Sequence, residues 1–171
     1  MFEEGTAIVH PLQGAGIIEA IEEHSVLNES HKYYVIRLST GSMKIMVPVE
    51  LTEKIGLRKI TEKDEFERVI TILKGEEEKT MINWKSPYAE NLLKMKEGSI
   101  YKVAEVACNL SLRSKEKTLS IEEKRLFENA CNAISTEMAY VYKMKIAEAD
   151  TMVRRTLKEG RTQISFKEVP K

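Results

Sequence analysis

Four residue types are scarce in this chain of 171 residues: two cysteines, three histidines, four prolines and one tryptophan. Cys108 and Cys131 could form one bridge at most, and both lie in helical patterns without Cys-x-x-Cys spacing. They read as buried thiols, and a disulfide scaffold is excluded. His10, His24 and His31 all fall in the first third, with no cysteine or paired carboxylate at ligand spacing, so no metal site is expected. No apolar run approaches the roughly 18–20 residues that a membrane span needs. The start "MFEEGTAIVHP" has two acids and no basic stretch, which argues against a secretory signal and for a cytoplasmic protein. There is no phosphate-binding G-x-x-x-x-G-K-[ST] loop, and Gly14-Ala-Gly16 is too short for a dinucleotide fingerprint. Glu122 and Glu123 are adjacent and suit a helix cap better than paired acid–base work. These absences point away from an enzyme and from any cofactor.

The chain does carry abundant charge. Charged residues make up 32% and aromatics only 6%, so the core must be mostly aliphatic. The net charge of zero hides an asymmetry. Residues 1–60 hold 6 basic and 8 acidic side chains, residues 61–82 hold 4 and 7, and residues 83–171 hold 17 and 12. The C-terminal half, at +5, is either an ordinary solvated helical surface or the part that meets a polyanion.

Periodicity divides the chain in two. "TAIVHP", "GAGIIEAIEEHSVL", "HKYYVIRLS" and "MKIMVPV" alternate or are β-branched, with tight turns between them, and "LRKI" adds a short last strand. Strands of this length and spacing predict a small, bent antiparallel barrel of the Tudor or SH3 kind over residues 1–60. After Ile60 the period becomes 3.6. Thr61 with Asp64 resembles a capping box ahead of the stripe Phe66, Val69, Ile70 and Leu73, and Gly75 ends that helix. Ser86 as cap and Pro87 at the first helical position start a second helix bearing Tyr88, Leu92 and Met95, stopped by Gly98. Ile100, Val103, Ala104, Ala107 and Leu110 mark a third. Ser120 with Glu123 forms a full capping box before Phe127, Ala130, Cys131, Ile134, Met138 and Val141, and Ile146, Ala149, Val153 and Leu157 mark a fifth. The expected architecture is α+β: the small barrel, then a helical bundle of about five helices over residues 61–160, then a frayed or disordered tail at 161–171. The boundary falls either near residue 60 or at the acidic link 75–80.

Three features could bind a partner. Trp84 is either a core anchor, as a lone tryptophan usually is, or an exposed wedge, since Asn83, Lys85 and Ser86 surround it and no apolar stripe includes it. Arg113, Lys115, Lys117, Lys124 and Arg125 are either a solvated face or a phosphate-contacting cluster. The strand "MKIMVPV" is either covered by its own module or presents an edge, ended by Pro48, to which a partner strand could add.

Taken together these features resemble the CarD family of bacterial transcription regulators. The resemblance covers roughly residues 3–145 and is carried, in order, by "GTAIVHPLQGAGIIEAIEE", "MKIMVPVE" with "IGLR", "NWKSPYAENLLKM", "YKVAEVACNL" and "LSIEEKRLFENA". The first module is also similar to the polymerase-interacting domain of transcription-repair coupling factor, but the missing phosphate loop and the helices that follow favour the stand-alone regulator. The resemblance implies a Tudor-like module docked on the RNA polymerase β subunit. It also implies a helical domain touching promoter DNA, largely without sequence preference, at the upstream edge of the melted bubble. The family's wedge tryptophan falls on Trp84, which would enter the minor groove, and a basic residue of its DNA surface falls on Lys124. Members carry basic residues just after the tryptophan, where this chain has Lys85 alone before Ser86, Pro87 and Ala89. Arginines that some members use against polymerase align with His24 and Met46, so docking is expected to lean on strand pairing along Lys44, Ile45, Met46 and Val47. The expected DNA contacts are Trp84, Lys85, Arg113, Lys124 and Arg125, and the protein is expected to act as a monomer. The competing reading is a protein–protein adaptor whose β module binds another partner and whose helices are scaffold, with Trp84 buried.

Overall fold

The computed structural model describes residues 1–77 and 82–164 of the chain. Five antiparallel strands form one sheet: β1 (Ala7–His10), β2 (Gly14–Val26), β3 (Glu29–Leu38), β4 (Lys44–Pro48) and β5 (Arg58–Lys59). Their order is β4-β3-β2-β1-β5. Alternation drives the packing. On β3, Tyr34, Ile36 and Leu38 are buried with Ile8, Ile18, Val47 and Leu57, while Arg37 faces solvent. β2 and β3 are joined by Leu27 and Asn28, both left-handed (φ 52° and 64°), the conformation that a two-residue hairpin turn needs. The register slips between Ile18 and Ala20, which makes Glu19 a bulge.

The sheet does not close into a barrel. β5 is two residues long and pairs only with β1, so β4 remains at the far edge. A turn of 3-10 helix (Val49–Leu51) and the short α1 (Thr52–Ile55) carry the chain between these edges, and Gly56 ends the segment at φ 81°.

Five longer helices follow: α2 (Lys63–Lys74), α3 (Tyr88–Lys96), α4 (Ile100–Glu116), α5 (Ile121–Tyr142) and α6 (Ile146–Ile164). Their stripes meet in an aliphatic core of Val69, Ile72, Met95, Ala104, Leu110, Ile134, Val153 and Leu157, with Phe66 as its buried aromatic ring. Cys108 and Cys131 are buried and form no disulfide.

Three helix boundaries differ from expectation. Thr61 does not cap α2: its N–H donates to Glu137 Oε1 (2.8 Å), and α2 starts behind Glu62 with no side-chain cap. α3 starts one residue late, with Pro87 as its cap and Ser86 buried beneath. α6 does not fray at Gly160 but continues to Ile164. A Cβ at Gly160 would lie 2.5 Å from the Lys74 carbonyl oxygen, so glycine lets α6 pack against the end of α2. Of the expected link and tail, residues 78–81 and 165–171 lie outside the described residues.

The sheet rests on the middle of α5. The Ala15 N–H donates to Thr136 Oγ1 at 3.0 Å. A Cβ on Gly14 (φ 81°) would stand 2.8 Å from the same oxygen. Arg58 of β5 forks onto Glu137 (Nη1–Oε1 2.7 Å, Nη2–Oε2 2.8 Å), whose side chain is 0% exposed.

Candidate functional site

Trp84 stands in a tight turn just before α3. The Ser86 N–H donates to the Asn83 carbonyl (3.1 Å) and the Lys85 N–H to Asn83 Oδ1 (2.9 Å), so Asn83 closes the turn with both main chain and side chain. Side chains from two helices then hold this turn, with a third behind them. Asn109 of α4 accepts from the Asn83 N–H (2.6 Å) and donates to Asn91 Oδ1 of α3 (3.1 Å). Asn91 Nδ2 lies 3.5 Å from the Ser86 carbonyl oxygen. Arg113 Nη1, also on α4, donates to the Trp84 carbonyl (3.2 Å), and its Nε lies 2.7 Å from Glu123 Oε1 of α5.

Glu123 is itself the second half of the capping box. Its N–H donates to Ser120 Oγ (3.1 Å), and its Oε2 accepts from the Ser120 N–H (2.9 Å). A continuous polar path therefore runs from the turn through Arg113 to the start of α5. Asn91, Asn109 and Glu123 are buried, and the Asn109–Asn91 bond in particular forms in a low-dielectric setting where its loss is costly.

The turn's backbone is thus tied down, while the indole is only part-buried. Lys85 is exposed, and its Nζ lies 5.4 Å from the centre of the Trp84 ring, a cation–π distance. Lys124 and Arg125, one step into α5, are exposed. Arg113 differs from them: its side chain is 14% exposed and faces inward onto Glu123 and the Trp84 carbonyl. It braces the turn rather than lining the basic surface. The positive end of α5 is already filled by the Glu123 carboxylate and by Glu122. Backbone N–H and Ser120 hydrogen bonds hold the Glu122 carboxyl below its ordinary range. The helix end itself is therefore occupied, and Lys124 and Arg125 are exposed cations beside it.

β4 is the second candidate surface. It pairs with β3 on one side only, from Tyr33↔Pro48 to Arg37↔Lys44. Val47 is buried and Ile45 packs against the same core, so these two positions offer backbone rather than side chains. Met46, 48% exposed, lies opposite Val35 on the outer face, and Val35 is opposite Ala20. Lys44 is engaged: its Nζ is 2.5 Å from Glu19 Oε2, and Arg37 Nε donates to Glu19 Oε1 (2.6 Å). The bulge lets Glu19 reach across two strands, and Lys44, followed by Arg37, holds its carboxyl below the ordinary value. His24 is not on this edge. It lies opposite His31 near the hairpin turn, 2.9 Å from Glu22 and edge-on to Tyr33 (ring centres 5.6 Å). Tyr33, opposite Pro48, is the residue that connects His24 to β4.

The roles of Tyr33, Asn83, Asn91 and Asn109 escaped the sequence reading. One signal was available for two of them. Asparagine is a poor interior helix residue, so Asn91 and Asn109 on buried helix faces imply buried polar partners. Among the described residues no cluster of His, Cys, Asp and Glu could hold a metal ion, and no helix is long and apolar enough to cross a membrane.

Comparison with known proteins identifies both parts of the chain. The family model described as CarD-like/TRCF RID domain matches residues 2–61, and that of the CarD C-terminal domain matches residues 68–154. A protein of Bacillus subtilis (strain 168) named "Putative transcription factor YdeB" is 37% identical over 141 residues, which cover 82% of this chain and 92% of that protein.

Proposed function

Because this chain belongs to the CarD family of transcription factors, we propose that it regulates transcription initiation by docking on RNA polymerase and stabilising the open promoter complex. The polymerase β subunit adds a strand along Lys44–Val47, where the unpaired side of β4 offers main-chain groups and Met46 offers apolar surface. His24 and Tyr33 border that contact. Trp84 then stacks at the upstream edge of the melted bubble from the minor-groove side, and Lys85, Lys124 and Arg125 contact phosphates. The protein works in the cytoplasm as a monomer, on DNA held by polymerase.

The observation that carries this reading is the Trp84 turn: Asn109, Asn91 and Arg113 hold its backbone while the indole stays part-exposed beside Lys85. A scaffold residue would be expected in the core, which speaks against the adaptor reading.

The energetics suffice. The protein need only bind the open complex better than the closed one to shift the population. A tenfold shift takes about 1.4 kcal/mol, and one base–aromatic stack is worth about 1–3 kcal/mol. Tethering to polymerase raises the local concentration of a weak DNA contact, so few phosphate contacts are enough.

The test is capture of the protein by immobilised β subunit, followed by open-complex half-life with and without it. Capture and a longer half-life are expected. Failure to bind β together with an unchanged half-life would refute the proposal.

A further inference from the structure

The two candidate surfaces lie on different parts of the chain, so their separation decides whether one docking event can serve both. Three contacts set it. The Gly14–Ala15 turn rests on Thr136. The backbones of Gly56 and Gly98 touch, since a Cβ on Gly98 (φ 75°) would lie 3.0 Å from the Gly56 oxygen. Arg58 forks onto Glu137 and also donates from Nε to the Gly98 carbonyl (2.6 Å), in the turn between α3 and α4. One guanidinium thus binds β5 to both α5 and the elbow that ends the helix entered from Trp84.

α5 continues the path. Glu137 takes three donors from the sheet side (Arg58 Nη1, Arg58 Nη2 and the Thr61 N–H), while Glu123 on the same helix holds Arg113 and, through it, the Trp84 carbonyl. Fourteen residues at about 1.5 Å each put these two carboxylates roughly 21 Å apart along a rigid helix. A forked arginine–carboxylate pair fixes direction as well as distance.

We propose that Arg58 and Glu137 are positioning residues, which hold the β4 edge and Trp84 at one separation and angle so that docking the edge delivers the indole to the DNA fork. This rests on the function proposed above. Without the pair, both surfaces persist but the tether between them loosens. The effective concentration of Trp84 at the fork then drops, on the order of tenfold.

The double variant Arg58→Met/Glu137→Met separates this role from plain structural support. Replacing both members of a buried ion pair with apolar side chains is often neutral for folding, whereas removing one strands a charge. Three quantities are read on the full-length protein: thermal unfolding, binding to immobilised β subunit, and open-complex half-life. We expect a folded variant that binds β within twofold of the unmodified protein and loses at least fivefold of the half-life gain. A folded variant with intact β binding and the full gain would overturn the proposal. If the double variant does not fold, Arg58→Lys, which keeps the charge but cannot fork, carries the same comparison: a reduced gain supports the role, and a full gain overturns it. Trp84→Ala is run alongside. If it keeps the full gain, the wedge reading and the proposal resting on it both fall. If it loses the gain while the double variant keeps it, the positioning role alone fails.

Discussion

Replacing Asn109 with alanine should loosen the Trp84 turn without touching the indole. Asn109 and Asn91 are each 1% exposed, and Asn109 links Asn91 Oδ1 to the Asn83 N–H. Truncation strands the buried Asn91 oxygen, at a cost of about 1–3 kcal/mol. The Asn83 N–H lies nearer the surface, where water replaces its partner, so it adds about 0.5–1 kcal/mol. Alanine returns about 0.5 kcal/mol of helix propensity within α4. The net loss is ~1–3.5 kcal/mol, and a chain of this size loses about 2–4 °C in Tm per kcal/mol, so Tm falls by roughly 2–14 °C. The lone tryptophan makes the local effect readable, because acrylamide quenching of its fluorescence reports Trp84 alone. Quenching should rise at temperatures well below Tm. An unchanged Tm with unchanged quenching would refute the claim that buried asparagines hold the turn.

Three further outcomes are expected. Glu19→Gln should destabilise the protein at neutral pH but not in acid. The Glu19 carboxyl is depressed by Lys44 and Arg37, so its contribution is fully present above the ordinary value of 4.5 and is lost as pH falls through the lower folded value. Denaturant midpoints at pH 7 and pH 3 check this, and a gap that widens in acid contradicts it. Gly160→Ala would stabilise an ordinary helix by up to about 1 kcal/mol, yet here the new Cβ meets the Lys74 carbonyl oxygen at 2.5 Å. Tm should therefore fall; a rise would mean that α2 and α6 separate freely. Lys124→Ala should lower the slope of log K against log salt for promoter DNA by about 0.9, one phosphate's share, and parallel lines would remove Lys124 from the DNA surface.

Local signals were the legible part of the fold. Ser120 and Glu123 announced α5 because a capping box is complete within four residues, and its hydrogen bonds are both present. The stripes of α4 and α6 were readable because both helices bury one aliphatic face. The misreadings arose where a distant partner took over a local signal. Thr61 looked like a cap, but its environment is set by Glu137, 76 residues away. The bundle was expected to end at residue 160, but Gly160 is a place where two backbones meet. The strands were legible and their failure to close was not, since closure depends on how long β5 is.

The site divides in the same way. Trp84 could be singled out because no stripe contains it. Its supports could not, because Asn109 and Arg113 lie 26 and 29 residues further along the chain. Arg113 shows the limit of counting charge. In sequence it belongs with Lys115 and Lys117, while in the fold it faces inward.

The central claim is that Trp84 stabilises open DNA on a protein anchored elsewhere, and open-complex half-life with Trp84→Ala tests it most directly. The variant should unfold at the temperature of the unmodified protein, bind β subunit equally well and lose most of the half-life gain. A folded, β-bound Trp84→Ala protein that prolongs the open complex as fully as the unmodified chain would contradict the account.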